Sequence, residues 1–307
     1  MSGRTFIAVE WGTARIRARL LAADGDILDT LVDEVRLVDL DRPARIARLQ
    51  MMRARWPDAS DTMWLAGMIG SPMGLEAVEQ LPCPATPAAI AAHARRTQID
   101  TLSVAILPGL SCTSRFGDPD VLRGEEVAAA GLIGTGRADG ALLLSVPGMH
   151  GKWIELGRTM VERFHTSMTV ELYRVLAERS ILAPLMAAPA RDGEAFRTGL
   201  SRAADGGGLG RLLFSARTAV QAKRFSEDDV ASYLWGILIG SDVRENLPAA
   251  GTNDRACIVT GAADVAPLFQ AAIDHLGMKA ELIDDNRLSP AGSATIRRVA
   301  AEQEALR

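Results

Sequence analysis

Lysine is almost missing from this sequence. Of the 34 basic residues in the 307-residue chain, only Lys152, Lys223 and Lys279 are lysines. We attribute the skew to a GC-rich genome, whose codons favour arginine, but it makes the position of each remaining lysine informative. Positive charge as a whole is also not in excess, because the formal net charge is −4. We therefore expect no bulk attraction to nucleic acid or to an anionic membrane.

Cysteine and histidine are equally sparse, and neither is arranged as a metal site. Cys83, Cys112 and Cys257 lie far apart, and the four histidines form no His-x-x-His pattern, so neither a disulfide framework nor a zinc site is expected. No stretch approaches the roughly 18 apolar residues that a membrane helix needs. The first apolar run is short and meets Glu10, unlike a signal peptide. These absences predict a protein of the reducing cytoplasm.

What is present is the composition of an ordinary globular protein, with 48% hydrophobic and 23% charged residues. The length predicts two domains. The order of predicted elements is strand–turn–strand–strand followed by α/β, and this order occurs twice without obvious identity between the halves. The short Gly134-Thr135-Gly136 link separates the two runs, which predicts domains at 1–136 and 137–307.

Hydrophobic periodicity and turn residues define the predicted elements. The predicted strands are 5–9, 15–21, 27–35, 62–67, 102–107, 141–146, 152–157, 159–165, 256–260 and 279–283. The predicted helices are 42–55, 87–97, 124–133, 264–276 and 290–304, together with a helical stretch over 168–248 that is broken near 184–192 and at 206–208.

Two of the strand–turn–strand units carry glycine at the turn, at Gly12-Thr13 and at Gly148 to Gly151. Glycine lets backbone N–H groups approach an anion closely. The Thr13 hydroxyl or the Lys152 ammonium adds a donor beside it. Two such turns facing each other could hold a polyphosphate, although a hairpin glycine is more often only a turn.

A third unit makes the pairing of the two turns more specific. Strand 256–260 is followed by Gly261-Ala262-Ala263 and a helix, which would place backbone groups beside a flat ligand. The order of phosphate turn, acidic helix start, second phosphate turn and glycine-led helix resembles the sugar-kinase branch of the actin-like ATPase superfamily. The resemblance implies an α/β fold of two actin-like (ribonuclease-H-like) ATPase domains, each a mixed sheet flanked by helices, with an interdomain cleft.

Five motifs in the right order, spread from residue 7 to about 297, narrow the resemblance to one family. Arg123-Gly124-Glu125-Glu126 and Pro147-Gly148-Met149-His150-Gly151-Lys152-Trp153 are similar to the Arg-Gly-Glu-Glu and Pro-Gly-Thr-His-x-Lys-Trp motifs of the 2-dehydro-3-deoxygalactonokinase family. Three further stretches are similar to motifs of that family, namely 66–71 (Ala-Gly-Met-Ile-Gly-Ser), 164–172 (Phe-His-Thr-Ser-Met-Thr-Val-Glu-Leu) and 234–240 (Leu-Trp-Gly-Ile-Leu-Ile-Gly).

The resemblance implies an ATP-dependent kinase that requires Mg²⁺. Its implied reaction is phosphorylation of the C6 hydroxyl of 2-dehydro-3-deoxy-D-galactonate, in galactonate and galactose catabolism. The implied partners are small molecules, with neither nucleic acid nor membrane among them. The oligomeric state is left open, with a homodimer as one option, and the last helix, 290–304, is expected near the domain interface.

The resemblance also implies roles for individual residues. Glu125 is the implied catalytic base, with Glu126 as the alternative or as its orienting partner, although a helix-start glutamate also simply complements the helix dipole. Glu10 is implied to act on Mg²⁺ through water. The implied ATP contacts are Trp11, Gly12, Thr13, Gly148, Met149, His150, Lys152, Gly261 and Ala262, with Lys152 reaching either a phosphate or the substrate carboxylate. The implied sugar-acid contacts are Arg17, Gly67, Met68, Arg123, Thr169 and Glu171, with Arg123 as a fork donor to the carboxylate.

Five motif positions depart from the family pattern. They are Glu10 for Asp, Leu75 for Trp, Met149 for Thr, Val170 for Gly and Trp235 for Ser. Several such changes at ligand-facing motifs would narrow or alter the pocket. Two interpretations therefore remain: a sugar-acid kinase, and a non-catalytic or substrate-shifted paralogue that binds a sugar acid or a nucleotide on the same scaffold.

Overall fold

The computed structural model describes residues 5–138, 142–186, 188–247 and 256–306, and this part of the chain divides into two compact units. The first unit comprises the described residues of Met1–Ala141, Ile154–His165 and Asp284–Arg307. The second unit comprises the described residues of Leu142–Trp153 and Thr166–Ile283. Ala141 and Pro248, the end residues of two predicted elements, lie outside the described residues. Among the described helices, none is long and apolar enough to span a membrane.

The described part of the chain contains both strands and helices. The strands are β1 (Phe6–Trp11), β2 (Ile16–Leu21), β3 (Ile27–Asp33), β4 (Thr62–Gly67), β5 (Leu81–Pro82), β6 (Arg95–Ile99), β7 (Leu102–Ile106), β8 (Leu110–Thr113), β9 (Pro119–Leu122), β10 (Leu142–Val146), β11 (Gly151–Leu156), β12 (Val161–Ser167), β13 (Ala256–Val259) and β14 (Ala280–Leu282). The helices are α1 (Arg42–Arg55), α2 (Pro87–His93), α3 (Glu125–Gly134), α4 (Thr169–Arg179), α5 (Glu194–Ala204), α6 (Leu209–Gln221), α7 (Glu227–Asn246), α8 (Ala266–His275) and α9 (Asp285–Ala305), with short 3-10 turns at Leu37–Asp39, Met68–Gly70 and Ala183–Leu185.

The largest sheet has the strand order β3-β2-β1-β4-β7-β6. Strand β1 lies inside it and is covered on both faces, which is why it reads as a continuous apolar run in the sequence. It pairs antiparallel with β2 and parallel with β4. The register sets Glu10 opposite Arg17, and Trp11 opposite Gly67. The sheet therefore brings the end of β1 next to the end of β4.

Helices α3 and α9 pack backbone against backbone. A Cβ atom on Gly292 would overlap the carbonyl oxygen of Val127, and one on Gly131 would overlap that of Leu288. Side chains larger than hydrogen are therefore excluded at this crossing. Helix α9 begins at Asp285 because the Asp284 side chain caps it, accepting a hydrogen bond from the backbone N–H of Asn286 at 2.9 Å.

The second large sheet repeats the order of five of the six strands of the first, β3-β2-β1-β4-β7. Its order is β12-β11-β10-β13-β14, in which β10, β13 and β14 are parallel. Helix α7 is buried over most of its length and packs closely on α5, where a Cβ atom on Gly199 or Gly236 would overlap the backbone of the other helix. A three-stranded sheet of order β5-β8-β9 completes the described strands.

The structure confirms the predicted α/β fold class and the twofold strand–turn–strand–strand order. Helix α1 matches its predicted range, because Asp41 caps it and its apolar face is regular. The prediction of a helix over 87–97 is wrong after His93, since residues 95–99 pair with β7 as an edge strand. The long helical stretch has a further break between α6 and α7, and the small sheet was not predicted.

Helix α9 belongs to the first unit and not to the unit that holds β10 and β13. It begins at Asp285, five residues before the predicted start at 290. Pro290 therefore lies inside the helix, where proline is unusual. The assignment of domains to 1–136 and 137–307 stays a prediction.

Candidate active site

The first predicted phosphate turn joins β1 to β2. The backbone N–H of Gly12 donates to the carbonyl oxygen of Arg15 at 2.8 Å, and the carbonyl oxygen of Thr13 accepts from the N–H of Leu37 at 2.9 Å. Gly12 and Thr13 are themselves exposed. The turn is thus fixed in shape while its glycine and its threonine side chain stay accessible to a ligand.

Beside this turn, Glu10 belongs to a network of charged groups. Arg19 donates to Glu10 Oε1, and Arg17 Nη1 lies 3.8 Å from Glu10 Oε2 and also donates to Asp285. Arg19 is almost fully buried and donates to Asn286 Oδ1 at 3.0 Å as well. Burial raises the pKa of the Glu10 carboxyl, while the charge of Arg19 opposes that rise.

This network determines how Glu10 could contact the implied Mg²⁺. Within the described residues, no group of three or more histidine, cysteine, aspartate or glutamate side chains could cage a metal ion. Glu10 Oε1 is engaged by Arg19, but Oε2 lies beyond hydrogen-bond distance of Arg17 and keeps a lone pair. The donor set therefore fits a water-mediated contact from Glu10 to an ion that arrives with phosphate groups.

Arg19, Asp285 and Asn286 were missed by sequence reasoning. The alternating arginines of β2 were a weak signal for a buried ion pair. An arginine such as Arg19, buried among apolar neighbours, needs an acidic or polar side chain beside it. Asn286 lies 267 residues beyond Arg19, and Asp285 lies 268 residues beyond Arg17, both at the start of α9. No local pattern could have identified them.

Three further predicted residues meet at the end of β1. A Cβ atom on Gly67 would lie 2.6 Å from the carbonyl oxygen of Trp11, and one on Gly124 would lie 3.6 Å from the Cα of Gly67. Gly67 and Gly124 both have positive φ, at 87° and 111°. Glycine is thus needed for conformation as well as for space at this junction. The junction brings the start of α3, with Glu125, to the ends of β1 and β4.

The Arg123 side chain holds the segment before α3. Its Nη1 donates to the carbonyl oxygen of Pro108 at 2.7 Å, and its Nη2 donates to that of Val78. Both arms of the guanidinium fork are therefore committed to backbone carbonyls. This geometry supports a structural role and does not present a free fork to a substrate carboxylate.

The two adjacent glutamates of the motif differ in environment. Glu126 is fully buried, and its Oε2 accepts a hydrogen bond from the backbone N–H of Gly124 at 2.5 Å. Burial first, and the charge of Glu125 second, raise the pKa of Glu126 to about 7. Glu125 itself is half-buried. Glu126 therefore caps the helix from inside, while Glu125 is the glutamate that retains some exposure.

The raised pKa of Glu126 predicts a pH-dependent stability. Between its ordinary value of 4.5 and about 7, the folded state binds a proton that the unfolded state has released, so stability should fall as pH rises through this window. The full effect is about 3 kcal/mol. Chemical denaturation at several pH values should show that Glu126→Gln, which keeps the cap but cannot ionise, loses this dependence. The exposed-site variant Asp192→Asn should retain it, and an unchanged pH profile in Glu126→Gln would refute the assignment.

In the second unit, the turn between β10 and β11 carries the second predicted phosphate site. A Cβ atom on Gly148 would meet nothing within 4 Å, so space is open there. Gly261 has a φ of 142°, and its Cβ would lie 2.9 Å from the carbonyl oxygen of Pro147. The loop after β13 therefore lies directly against this turn. Ala262 is exposed beside it.

The turn is tied to β12 and α4 by two polar contacts. His150 Nε2 and Glu171 Oε2 lie 2.8 Å apart, and Lys152 Nζ donates to Thr166 Oγ1 at 2.8 Å. Lys152 is 7% exposed, which is unusual for a lysine and indicates a specific role. The structure therefore brings together His150, Lys152 and Glu171 from three predicted motif positions.

Asp242 connects helix α7 to β11 and to the junction between β12 and α4, and it was not identified from the sequence. Its Oδ1 accepts from Trp153 Nε1 and from Asn246 Nδ2, each at 2.9 Å. Its Oδ2 accepts from Ser167 Oγ at 2.8 Å and from Thr169 Oγ1 at 2.6 Å. Burial raises the pKa of Asp242, and these hydrogen bonds oppose the rise. A carboxylate inside an otherwise apolar helical run was the signal available in the sequence.

Three of the five departures from the family pattern face hydrophobic cores. Leu75, Val170 and Trp235 are each less than 10% exposed and belong to apolar clusters. Trp235 stacks on Tyr173 with ring centroids 4.0 Å apart. Val170 and Trp235 share one cluster, so these side chains fill space in the core and do not narrow a ligand pocket. Met149 is 38% exposed in the second turn.

Two sheets that share an order of five strands, in each of which the third, fourth and fifth strands of that order are parallel, define the class of actin-like ATPase folds. A solved structure of that shape, the activator of the 2-hydroxyisocaproyl-CoA dehydratase from Clostridium difficile with bound ADPNP, matches with a TM-score of 0.50. The match covers 99% of this chain and 98% of the other at 8% identity, so it shows the fold alone.

The chain belongs to the 2-keto-3-deoxy-galactonokinase family, whose model matches residues 10–296. A probable 2-dehydro-3-deoxygalactonokinase of Rhizobium meliloti (strain 1021) is 30% identical over 295 residues, covering 94% of both chains. The 2-dehydro-3-deoxygalactonokinase of Escherichia coli (strain K12) is 26% identical over 291 residues, covering 95% of this chain and 97% of that one. A crystal structure from Sinorhizobium meliloti, assigned to the same activity, matches with a TM-score of 0.86 at 27% identity over 97% of this chain and 99% of the other.

Proposed function

We propose that the protein transfers the terminal phosphoryl group of ATP to the C6 hydroxyl of 2-dehydro-3-deoxy-D-galactonate, as a step of galactonate catabolism in the cytoplasm. Membership of a kinase family over almost the whole chain supports the reaction. The observation that carries the proposal is the junction of Trp11, Gly67 and Gly124, which sets the glutamates of α3 beside the first phosphate turn. The three cysteines are free, which suits a reducing compartment.

Glu125 is the proposed catalytic base. Its carboxylate accepts the proton of the C6 hydroxyl while the oxygen of that hydroxyl bonds to the γ-phosphorus, and the bond from the γ-phosphorus to the bridging oxygen breaks to release ADP. Glu126 cannot take this role in the same way, because it is fully buried and caps the helix through Gly124. Its proposed role is to orient Glu125.

The two glycine turns are the proposed phosphate sites. Phosphoryl transfer depends mainly on positioning and on neutralising charge. The turns at Gly12-Thr13 and Gly148 would position the phosphate groups, the first through groups other than the Gly12 N–H, which donates to Arg15. The ammonium of Lys152 would neutralise the charge. The remaining proposed ATP contacts are Trp11, Thr13, Met149, His150, Gly261 and Ala262. Mg²⁺ would neutralise phosphate charge, held by phosphate oxygens and water, with Glu10 reaching it through water.

The proposed sugar-acid contacts are the residues that the family resemblance implies, namely Arg17, Gly67, Met68, Thr169 and Glu171. Arg123 contributes by holding the segment before α3, because its guanidinium donates to two backbone carbonyls.

A substrate panel tests the proposed acceptor. ADP release should be measured with 2-dehydro-3-deoxy-D-galactonate, its C4 epimer, and an analogue that lacks the C6 hydroxyl. We expect turnover of roughly 1–100 s⁻¹ with the first, since that is the ordinary range of kinases, and none with the 6-deoxy analogue. Equal turnover with and without the C6 hydroxyl would refute the proposed acceptor.

Lys152 offers a test of the second phosphate turn. Lys152→Met should raise the KM for ATP roughly 10–100-fold, the loss expected when a charged hydrogen-bond donor is removed. Lys152→Arg should lie in between, because it keeps the charge but not the shape. The matched control is Lys279→Met, an exposed lysine of the same unit. If Lys152→Met keeps the wild-type KM for ATP, Lys152 does not contact phosphate.

A further inference from the structure

The junction between β12 and α4 holds a triangle of oxygen atoms. Ser167 Oγ and Thr169 Oγ1 lie 2.6 Å apart, and both lie within hydrogen-bond distance of Asp242 Oδ2. The two hydroxyl groups carry one proton each, and an ionised carboxylate carries none. Each hydroxyl group therefore has a hydrogen-bond acceptor when its proton points toward another oxygen atom of the triangle.

The other oxygen of Asp242 fixes the orientation of the carboxylate. Trp153 Nε1 and Asn246 Nδ2 both donate to Oδ1 at 2.9 Å, and the indole nitrogen can only donate. Asp242 is 7% exposed, so water cannot easily replace these partners. The carboxylate thus has four side-chain donors and a single satisfactory orientation.

The position of Thr169 gives the triangle a consequence for ligand binding. Thr169 is the first residue of α4 and is half-buried, whereas Asp242 behind it is buried. With its proton directed toward Asp242 or Ser167, Thr169 Oγ1 has a lone pair left for an external partner. That partner must be a donor, so a neutral hydroxyl group fits and a carboxylate does not.

We infer that Asp242 is a positioning residue for the sugar acid: by holding the hydroxyl protons of Ser167 and Thr169, it makes Thr169 Oγ1 the acceptor for a hydroxyl group of the substrate. The inference rests on the proposed function and adds which end of the substrate Thr169 recognises. It places the polyol part of the sugar acid, not its carboxylate, against the start of α4.

Asp242→Asn replaces the acceptor oxygen that faces Ser167 and Thr169 with a donor nitrogen, and the side chain keeps its size. The amide oxygen is needed by Trp153, so the amide nitrogen faces the two hydroxyl groups and donates to them. Their protons then point outward, so a substrate hydroxyl must turn and accept from Thr169, and its own proton loses the acceptor that the wild type provides. We expect the KM for the sugar acid to rise about 10-fold, as for one mismatched hydrogen bond, with the KM for ATP within twofold of wild type.

Steady-state assays of four further variants complete the test. Thr169→Val should raise the KM for the sugar acid as Asp242→Asn does, Thr169→Ser should restore it, and the Asp242→Asn/Thr169→Val double variant should be no worse than the poorer single one. Thr218→Val is the matched control, because Thr218 is an exposed threonine of helix α6 whose hydroxyl donates to the carbonyl oxygen of Ser215, outside the triangle. Its KM should stay near wild type. Melting temperatures check that each variant is folded.

The outcomes separate this inference from the proposed function. No substrate-dependent ADP from the wild type would overturn both. Wild-type turnover with an unchanged KM in Thr169→Val, or an equal rise of both KM values in Asp242→Asn, would overturn the inference alone. Should Asp242→Asn not fold, the comparison of Thr169→Val with Thr169→Ser decides, since a merely structural hydroxyl would change melting temperature and not the KM for one substrate.

Discussion

Glu125→Gln is expected to lower kcat by roughly 10²–10⁴-fold, the range that a general base contributes. Glutamine keeps the length and the hydrogen-bonding oxygen of the side chain but cannot accept the proton of the C6 hydroxyl. Glu125 is half-buried at the first position of α3, beside the junction formed by Gly67 and Gly124. Affinity for ATP should stay near wild type, because the proposed phosphate turns lie on other segments.

The neighbouring glutamate provides the matched control for this experiment. Glu126→Gln keeps the hydrogen bond from the N–H of Gly124 through its amide oxygen, so its kcat should fall less than about 10-fold, below the range of a lost base. Single-turnover rates with saturating ATP and sugar acid compare the two variants directly. If Glu126→Gln loses activity and Glu125→Gln keeps it, the assignment of the base is reversed.

Gly292→Ala is expected to destabilise the protein by about 3 kcal/mol, the upper part of the range for overpacked cores. The added methyl group would overlap the carbonyl oxygen of Val127, so α9 must move away from α3. The loss should appear as a melting temperature lower by roughly 5–10 °C. Activity should fall as well, because Asp285 and Asn286 at the start of α9 hold Arg17 and Arg19.

Gly210→Ala is the control for that substitution. Gly210 lies inside helix α6, and a Cβ atom there would meet nothing within 4 Å. Alanine at an open helical position should stabilise the protein by about 0.5–1 kcal/mol. A Gly292→Ala variant as stable as wild type would show that α3 and α9 are not packed as closely as described.

The local parts of the fold were predictable because their signals are local. The apolar run of β1, the alternation of β2 and the cap of α1 each lie within a few residues of the element that they define. The α2–β6 segment shows the limit of such signals. Residues 95–97 continue a helical pattern, but pairing with β7 overrides that weak propensity.

The partners within the candidate site were not predictable in the same way. Arg17 was assigned to the site from the family resemblance, yet its partner Asp285 lies 268 residues away and before the predicted start of the last helix. Arg123 was expected to be a fork donor to the substrate carboxylate from its family motif and its residue type. Only the backbone around Val78 and Pro108 shows that both arms of the fork already donate to carbonyl oxygens.

The departures from the family pattern show the same limit. Trp235 and Val170 were expected to alter a pocket because they replace smaller residues within motifs. A motif position does not specify which way its side chain points, and both side chains lie in one apolar cluster. The substitutions therefore repack a core, and they no longer favour a non-catalytic or substrate-shifted protein.

The most direct test of the account is to locate the transferred phosphoryl group. Wild-type protein should be incubated with ATP, Mg²⁺ and 2-dehydro-3-deoxy-D-galactonate, with ADP quantified and the product examined by phosphorus–proton correlation NMR. We predict one equivalent of phosphate ester at C6 for each ADP formed, at roughly 1–100 s⁻¹. ADP formed without a phosphate ester, an ester at another carbon, or no sugar-dependent ADP would contradict the account.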